Sequence, residues 1–390
     1  MKNSGFCNAL TGCTLLVASA LEAAPDQRQR VTDSDVIRRL VDASLVDEED
    51  GMRQATRDLV ERGAAVVPGL VPLLDHQDAN VRWQAVLTGE RIGRGSTELL
   101  DPLVRASRDK DADVLGATVL ALTELFPRRP ETADAVDRLR GDVHELVQAN
   151  AWMNAWRLKK DLTAVEALVR FLGNRDWMVA EGASRHLVSI GAPAVGHVRR
   201  AAGDETFPGR VEALGVAGRI DGVGARTIAV LRAAAYNEDR RVSTAAVLAL
   251  AGIGKPSVTS LIGLLGSSEE RLRKQAIEAL GTVGPEAKAA VPALCDFLDD
   301  VRVQGPSIRA LSRIGSTDEK RLRRMTAFLD NANADVRAAA VAALGSLGGA
   351  PGVAATEART ALRALAVGDS KDFVRQAARE ALQRLERDGC

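Results

Sequence analysis

A pattern of about 32 residues recurs along the 390-residue chain. Its clearest copy, at 335–348, reads DVRAAAVAALGSLG. When Val336 is taken as the reference position, equivalent positions follow at intervals of 30 to 33 residues, with one final interval of 38. Such a period predicts a repeat architecture, in which each unit stacks on the next. The reference positions are Gly51, Val81, Val114, Val147, Val179, Gly209, Val242, Leu272, Val303, Val336 and Val374.

The residues that follow each reference position fit one face of an α-helix. Nine of the eleven copies have alanine four residues later, and eight have leucine eight residues later. At 100° per residue, these offsets form one narrow apolar stripe. Seven copies then have glycine at the twelfth position, as at Gly254 and Gly284. Because glycine adopts positive φ without a steric cost, we expect the helix to end there.

A second helix is expected before each of these helices. Acidic or amide residues stand three positions ahead of most reference positions, as at Asp78 and Asn333, where Asp or Asn can cap a helix N-terminus. An apolar segment such as 260–265 precedes them. Each unit is therefore predicted to be a hairpin of two antiparallel helices, too thin to bury its apolar stripe alone. The predicted fold is all-α, a right-handed α-α superhelix of about eleven hairpins.

The repeat resembles the HEAT-repeat family, and in particular the short repeats of phycobilin lyases. The resemblance lies in strings related to V-R-x-x-A-x-x-A-L-x-x-L/I-G at 81–93, 272–284 and 336–348, and in A-V-P-x-L segments at 65–70 and 290–294. It covers about residues 35 to 388. Membership of this family implies the superhelical fold, but HEAT arrays serve many unrelated functions.

The array is predicted to occupy residues 35–388, behind a linker at 21–34. It is expected to be irregular around 126–160, where Phe126-Pro-Arg-Arg-Pro130 replaces the usual glycine turn and the fourth repeat fits poorly. A bend in the solenoid could lie there. No second domain is required.

The N-terminus has the features of an export signal. Lys2 provides a positive start, the run from Ala9 to Ala20 carries no charge, and Ala18-Ser19-Ala20 fits a signal-peptidase site. We expect residues 1–20, or as many as 24, to be removed, and the protein to be periplasmic or secreted. The apolar run is too short to span a bilayer, so no transmembrane segment is expected in the mature chain.

Two alternatives to this export signal remain. Leu10-Thr11-Gly12-Cys13 resembles the lipobox of bacterial lipoproteins, in which the cysteine carries a lipid anchor. A lipid anchor at Cys13 is disfavoured because the apolar run of a lipobox precedes its cysteine, whereas here most of it follows. The other alternative is an untidy N-terminus of a cytoplasmic protein.

Arginines recur directly after five reference positions: Arg82, Arg210, Arg273, Arg337 and Arg375. Such a column could bind a polyanion. We favour instead that the arginines pair with acids of adjacent repeats along the turns. Lys and Arg together number 52, as do Asp and Glu, so the net charge is zero and nucleic acid is an unlikely partner.

Aromatic residues form only 3% of the chain, yet all four tryptophans fall within repeats two to five. Trp83, Trp152 and Trp156 have helical offsets opposite the apolar stripe, and Trp177 precedes its reference position by two. Exposed tryptophans are frequent at binding hot spots, so these four residues are the predicted binding site. The alternative is that the fourth repeat is out of phase and that Trp152 and Trp156 belong to the core.

The sequence predicts no catalytic centre, metal or cofactor. The four histidines are scattered, and the paired His-Glu motifs of HEAT-repeat deoxyhypusine hydroxylases are absent. The leading hypothesis is therefore an exported, non-enzymatic scaffold or adaptor that holds a protein or peptide on the concave face. Similarity to phycobilin lyases implies an alternative, a protein that handles a tetrapyrrole or similar ligand in the tryptophan region. A DNA-binding HEAT protein is a third hypothesis, opposed by the zero charge and the signal.

Overall fold

A computed structural model describes residues 32–93, 96–220, 224–315, 319–346 and 353–387. Within these ranges the chain forms twenty-two α-helices and no strand. The predicted signal at 1–20, Cys13 and most of the predicted linker at 21–34 lie outside the described residues. The helices are α1 (Asp33–Leu45), α2 (Glu49–Arg62), α3 (Val67–Leu70), α4 (Ala79–Ile92), α5 (Leu100–Ala106), α6 (Ala112–Leu125), α7 (Pro130–Leu139), α8 (Glu145–Lys159), α9 (Leu162–Phe171), α10 (Trp177–Ile190), α11 (Val195–Gly203), α12 (Arg210–Ala217), α13 (Ala225–Ala234), α14 (Arg240–Ile253), α15 (Val258–Leu264), α16 (Glu270–Val283), α17 (Val291–Asp296), α18 (Gln304–Ile314), α19 (Glu319–Ala327), α20 (Ala334–Ser346), α21 (Val353–Gly368) and α22 (Asp372–Arg387).

The helices alternate between two layers. Each odd-numbered helix pairs with the even-numbered helix that follows it, which gives eleven hairpins, numbered here 1 to 11. Even-numbered helices pack on even-numbered helices of the neighbouring hairpins, and odd-numbered helices pack on odd-numbered ones. The main packing contacts join only parts of one hairpin or of successive hairpins, as in a solenoid. The predicted all-α superhelix is confirmed.

Several odd-numbered helices begin or end in short 3₁₀ segments. Proline in the first two positions of many of these segments, such as Pro193 and Pro256, removes a backbone donor and favours the tight first turn. The 3₁₀ segments are Gly63–Val66, Val71–Asp75, Thr97–Leu99, Ala192–Ala194, Lys255–Ser257, Gly284–Ala290, Phe297–Asp299 and Phe328–Asp330.

The predicted core columns lie between the layers. All nine alanines of the four-residue offset are at most 2% exposed, and seven of the eight leucines of the eight-residue offset are buried. Aspartates at the predicted capping positions, such as Asp78 and Asp111, accept hydrogen bonds from backbone N–H groups of the next helix. Six of the seven predicted glycine stops have φ between +67° and +94°, and the seventh, Gly348, lies outside the described residues.

The even-numbered layer is the inner one. A Cβ placed at Gly218 would lie 2.4 Å from Ala249 Cα, and one at Gly281 would lie 2.9 Å from Ala310 Cα. Successive even-numbered helices therefore approach until their backbones almost touch, whereas an odd-numbered contact such as Gly69 against Ile37 is made by a long side chain. Since the closer-packed layer lies inside the curve of a stack, the even-numbered helices line the concave face.

Hairpin 4, where the sequence predicts irregularity, forms from α7 and α8 like the others. The irregularity lies at the C-terminal ends of the inner helices before and within this hairpin, α6 and α8. Phe126 caps α6 with φ of −130°, and Lys160 caps α8 with φ of +54°. A non-glycine residue at positive φ carries a steric cost, so this end of α8 is less favourable than a glycine stop.

Candidate interaction surface

The inner face is formed by side chains six and ten residues after the reference positions. Except for Met153, all of them with described side chains are exposed or half-buried. Their chemistry changes along the array. Leu87 and Leu120 in hairpins 2 and 3 are half-buried, and Leu248 in hairpin 7 is 65% exposed. Exposed charges, such as Arg185 and Glu278, stand on both sides of Leu248 along the face.

Polar contacts join successive inner helices. The hydroxyls of Thr56 and Thr88 are 3.4 Å apart, and Gln275 donates a 2.7 Å hydrogen bond to the Thr244 hydroxyl. The Glu124 carboxylate accepts a 2.5 Å hydrogen bond from Arg157. Such contacts fix the spacing of neighbouring helices and hold the inner-face side chains in register.

Hairpins 4 and 5 are joined by a partly buried polar contact. Asn150 Oδ1 lies 3.1 Å from His186 Nε2. Burial lowers the pKa of His186 to about 4, and the positive charges of Arg185 and Arg157 lower it further. The imidazole is therefore neutral at ordinary pH, and its N–H can donate to the amide oxygen.

Further polar groups lie on the neighbouring inner helices. Burial raises the pKa of Glu90, against the attraction of Arg91 and with a smaller contribution from Glu124. Within the described residues, Asn154 Oδ1 and Thr118 Oγ1 are buried without a hydrogen-bond partner. Buried or partly buried polar groups thus occur on the inner helices of hairpins 2 to 5.

The four predicted tryptophans occupy different environments. Trp156 is 7% exposed and belongs to the main core cluster, so the core interpretation holds for it. Trp152 is half-buried, with the Arg140 guanidinium 4.6 Å from its ring centroid. Trp83 is half-buried against a second core cluster. Only Trp177 is largely exposed, at 66%.

The placement of Trp156 has a steric cause. It occupies the ninth position after its reference residue, where Gly218, Gly281 and Gly345 allow inner helices to touch in other hairpins. A large ring at this position must separate α8 from α10, and it fills the space it creates. For Trp156, a helical offset opposite the apolar stripe therefore did not predict an exposed side chain.

The favoured interpretation, pairing with an acid of the adjacent repeat, holds for Arg82 and Arg337, whereas Arg210, Arg273 and Arg375 bind groups of their own hairpins. Arg82 donates to the carbonyls of His76 and Gln77 at 2.8 and 3.0 Å. Its other nitrogens donate to both oxygens of Asp109 in the next hairpin at 2.6 and 2.8 Å. Arg337 repeats this arrangement with Asp369, at 2.7 and 2.9 Å. These two arginines join adjacent hairpins.

The residue five positions before most reference positions has a role in the turn that was not predicted from the sequence. In nine turns its side chain accepts a hydrogen bond of 2.8 to 3.1 Å from the backbone N–H two residues later, which makes the turn rigid. The signal was present, because Asn, Asp and Ser favour such turns. These residues are His76, Asp109, Asp142, Asn174, Asp204, Asn237, Ser267, Asn331 and Asp369.

An open depression of about 430 Å³ lies on α21 of the outer layer and is lined by Thr356, Glu357, Thr360, Ala361 and Ala364, all of one helix. In the part of the chain that the structure describes, no group of three or more His, Cys, Asp and Glu residues is arranged to hold a metal ion. None of the described helices is both long and apolar enough to cross a bilayer.

A stack of helical hairpins with an inner and an outer layer defines an α-solenoid. A family model described as HEAT repeats matches the chain in overlapping copies at residues 198–281, 228–312, 258–345 and 291–383. Residues 198–383, slightly less than half of the chain, are therefore HEAT repeats. The match does not identify the phycobilin-lyase subtype.

Solved structures support the same fold. Kap121p, a karyopherin, in its complex with the SUMO protease Ulp1p has a TM-score of 0.62 and 13% identity, over 93% of this chain and 46% of that chain. Kap121p bound to Ste12p has a TM-score of 0.60, with the same identity and coverage. The chain thus spans less than half the length of these structures. Comparison with curated proteins found no match.

Proposed function

We propose that this protein is an exported scaffold or adaptor that holds a protein or peptide partner on the inner face of its solenoid. The observation that carries the proposal is the inner face itself, an open surface on which exposed Leu248 lies between charged side chains. A mixed apolar and charged surface of this kind fits a polypeptide better than a small ligand, which needs an enclosing pocket. The HEAT fold also supports the proposal, because similar solved structures include Kap121p bound to Ulp1p and to Ste12p.

Photo-crosslinking from defined positions tests where the partner binds. A benzoylphenylalanine would replace Leu248 on the inner face or, as the matched control, Arg232 on outer helix α13; both native side chains are exposed. We expect a specific crosslinked protein from position 248 and none from position 232. Crosslinks from position 232 alone, or from neither position, would contradict binding on the inner face.

Charge-reversal variants give a second measurement once the partner is identified. The inner variant combines Arg185→Glu, Leu248→Glu and Arg309→Glu, and the outer control combines Leu162→Glu, Arg232→Glu and Arg363→Glu. All six native side chains are exposed, so both variants should keep the wild-type melting temperature. We expect at least a tenfold loss of affinity in the inner variant only.

Export is a separate part of the proposal and has its own test. Mass spectrometry of the protein recovered from the periplasmic or secreted fraction should find a mature N-terminus between residues 21 and 25. A full-length chain retained in the cytoplasm would refute export and leave binding on the inner face intact.

A further inference from the structure

Exposed apolar side chains concentrate along one edge of the solenoid. Ten large apolar residues are exposed in the described part of the chain, and all but Leu162 and Leu248 lie within two residues of a turn from an odd-numbered to an even-numbered helix. This edge is separate from the inner face, where Leu248 lies in the middle of α14. The eight turn residues are Leu45, Val46, Val143, Trp177, Tyr236, Val301, Val367 and Phe373.

Four consecutive turns of this edge each carry one large apolar side chain. Hairpins 4 to 7 contribute Val143, Trp177, Phe207 and Tyr236, called here the turn strip. Val143 is 87% exposed, Trp177 66% and Tyr236 54%, whereas Phe207 is half-buried. Three aromatic rings in three successive turns are notable in a chain with only 3% aromatic residues.

The turn strip has defined ends. The turn of hairpin 3, at 107–111, is strongly charged, and the turn of hairpin 8, at 266–268, has only glycine and serine. Trp177 is the first residue of inner helix α10, Phe207 lies in the turn before α12, and Tyr236 follows the end of outer helix α13. The strip therefore covers the turns of four successive hairpins.

The backbone beneath the strip is rigid. Asn174 accepts a 2.8 Å hydrogen bond from the Asp176 N–H just before Trp177, and Asn237 accepts a 2.9 Å bond from the Asp239 N–H just after Tyr236. The turns of hairpins 5 and 6 are in backbone contact, since a Cβ on Gly209 would lie 2.4 Å from Gly173 N. Little ordering is therefore needed when a ligand binds, which favours affinity.

The spacing of the turns fits one kind of ligand. Packed helices lie about 8–10 Å apart, so the turns of successive hairpins repeat at about that interval. A polyproline II helix has three residues per turn and rises about 3.1 Å per residue, or about 9 Å per turn. Each turn of such a helix can therefore place one proline ring on each hairpin. The four hairpins would contact about nine or ten residues.

We propose that the turn strip binds a proline-rich segment of a partner protein in the polyproline II conformation. Proline rings would pack on the faces of Trp177, Phe207 and Tyr236, as in other aromatic grooves that read such segments. The carbonyls of a polyproline II helix have no internal partners, and the Trp177 indole N–H and Tyr236 hydroxyl can donate to them.

The charges beside the strip favour this ligand over a polyanion. Three arginines and five acidic residues are exposed in the turns of Trp177, Phe207 and Tyr236: Arg175, Arg240, Arg241, Asp176, Asp204, Glu205, Glu238 and Asp239. Basic residues are therefore not in excess, whereas nucleic acid or an anionic membrane surface requires an excess of them. A proline-rich segment needs none.

Binding of fluorescein-labelled decaproline to the full chain, followed by fluorescence anisotropy, tests the proposal. We expect saturable binding that falls at least tenfold in the double variant Trp177→Ala/Tyr236→Ala. The matched control Phe373→Ala removes a 51% exposed aromatic side chain from the turn of hairpin 11, outside the strip, and should bind like the wild type. A glycine-serine decapeptide should not bind.

The proposal is overturned if decaproline does not bind saturably, or if the double variant binds it as well as the wild type. It is equally overturned if phosphatidylcholine vesicles or a β-1,4-linked oligosaccharide bind in a Trp177-dependent way while decaproline does not. Because the replaced side chains are exposed, an unchanged melting temperature will show that the double variant folds. Failure here leaves the proposed function of the inner face untouched, because that function is tested from position 248.

Discussion

Arg82 and Arg337 stabilise the solenoid where two hairpins meet. Each guanidinium satisfies two carbonyls at the end of an outer helix and a carboxylate in the following turn. The Arg337 and Asp369 side chains are only 12% and 4% exposed. In such a pair, loss of one partner leaves a buried charge without compensation, which costs far more than the loss of a surface ion pair.

Arg337→Ala should therefore lower the free energy of unfolding by about 3 kcal/mol, because it leaves the Asp369 carboxylate buried and unpaired. Arg302→Ala is the control, since the Arg302 side chain is 58% exposed in its pair with Asp300. The control should lose much less, because an ion pair exposed to solvent contributes little to stability. Urea unfolding followed by circular dichroism measures both values, and equal losses would show that the buried pair has no special role.

The same pair predicts a pH dependence. The hydrogen bonds from Arg337 hold the pKa of Asp369 below its usual range. A carboxyl with a depressed folded pKa contributes stability above its unfolded pKa of about 4, and that contribution disappears as the pH falls through the folded pKa. The stability difference between wild type and Arg337→Ala should therefore shrink below about pH 4 and stay constant between pH 5 and 8.

His186 predicts a second pH dependence, in a different range. Its pKa of about 4 in the folded protein lies below the ordinary 6.5, because burial disfavours the charged imidazole. The unfolded chain therefore binds more protons between these values, and stability falls as the pH decreases from 6.5 to 4. We expect His186→Gln, which can still donate to Asn150, to remove about 2 kcal/mol of this pH-dependent loss. Chemical unfolding at several pH values measures it, and parallel curves for the two proteins would contradict the assignment.

At the scale of the helix, glycine has opposite effects at two positions of hairpin 6. Gly215 lies inside α12 with no atom within 4 Å of an added Cβ, whereas a Cβ on Gly218 would lie 2.4 Å from Ala249 Cα. Gly215→Ala should stabilise the protein by about 0.5–1 kcal/mol through helix propensity. Gly218→Ala should destabilise it by about 2 kcal/mol, because α14 must move away. Urea midpoints compare the two, and a Gly218→Ala midpoint equal to that of the wild type would show that the inner helices are not in tight contact.

The hairpins and their core columns could be predicted from sequence because they depend on local periodicity. Alanine four residues after each reference position is buried in all nine copies, and the glycine stops have the expected φ. Burial of Trp156 could not be predicted in this way. It depends on how far α8 stands from α10, which is a property of two neighbouring helices and the rings between them. The end of α8 could not be predicted either, because Lys160 adopts positive φ there in place of a glycine.

The environments of the four predicted tryptophans could not be predicted for a similar reason. Tryptophan count and offset did not separate buried Trp156 from exposed Trp177. The turn strip depends on side chains at three different offsets, in Val143, Trp177 and Tyr236, so no single sequence column reveals it. It becomes visible only when the hairpins are stacked.

At the scale of the whole molecule, the buried apolar side chains of the described residues form one large cluster and three smaller ones. One large cluster of buried residues extends from Met153 to Leu385, through hairpins 4 to 11. Hairpins 1 to 4 contain three smaller clusters instead. The HEAT family model matches only residues 198–383, within the region of the large cluster. Regular repeats thus coincide with a continuous core, and irregular repeats with a divided one.

A stack with nearest-neighbour contacts can unfold in parts, because each hairpin depends mainly on those beside it. We expect the amides of α4 and α6 to exchange with solvent through openings of lower free energy than those of α14 and α16. Leu122→Ala and Leu250→Ala form a matched pair, since both leucines are fully buried and each change should cost about 2–5 kcal/mol. Leu122→Ala should accelerate exchange in the N-terminal hairpins and leave α14 and α16 protected. Leu250→Ala should lower protection across hairpins 5 to 11. Hydrogen exchange followed by mass spectrometry resolves these segments, and equal acceleration along the whole chain in both variants would show that the solenoid unfolds as a single unit.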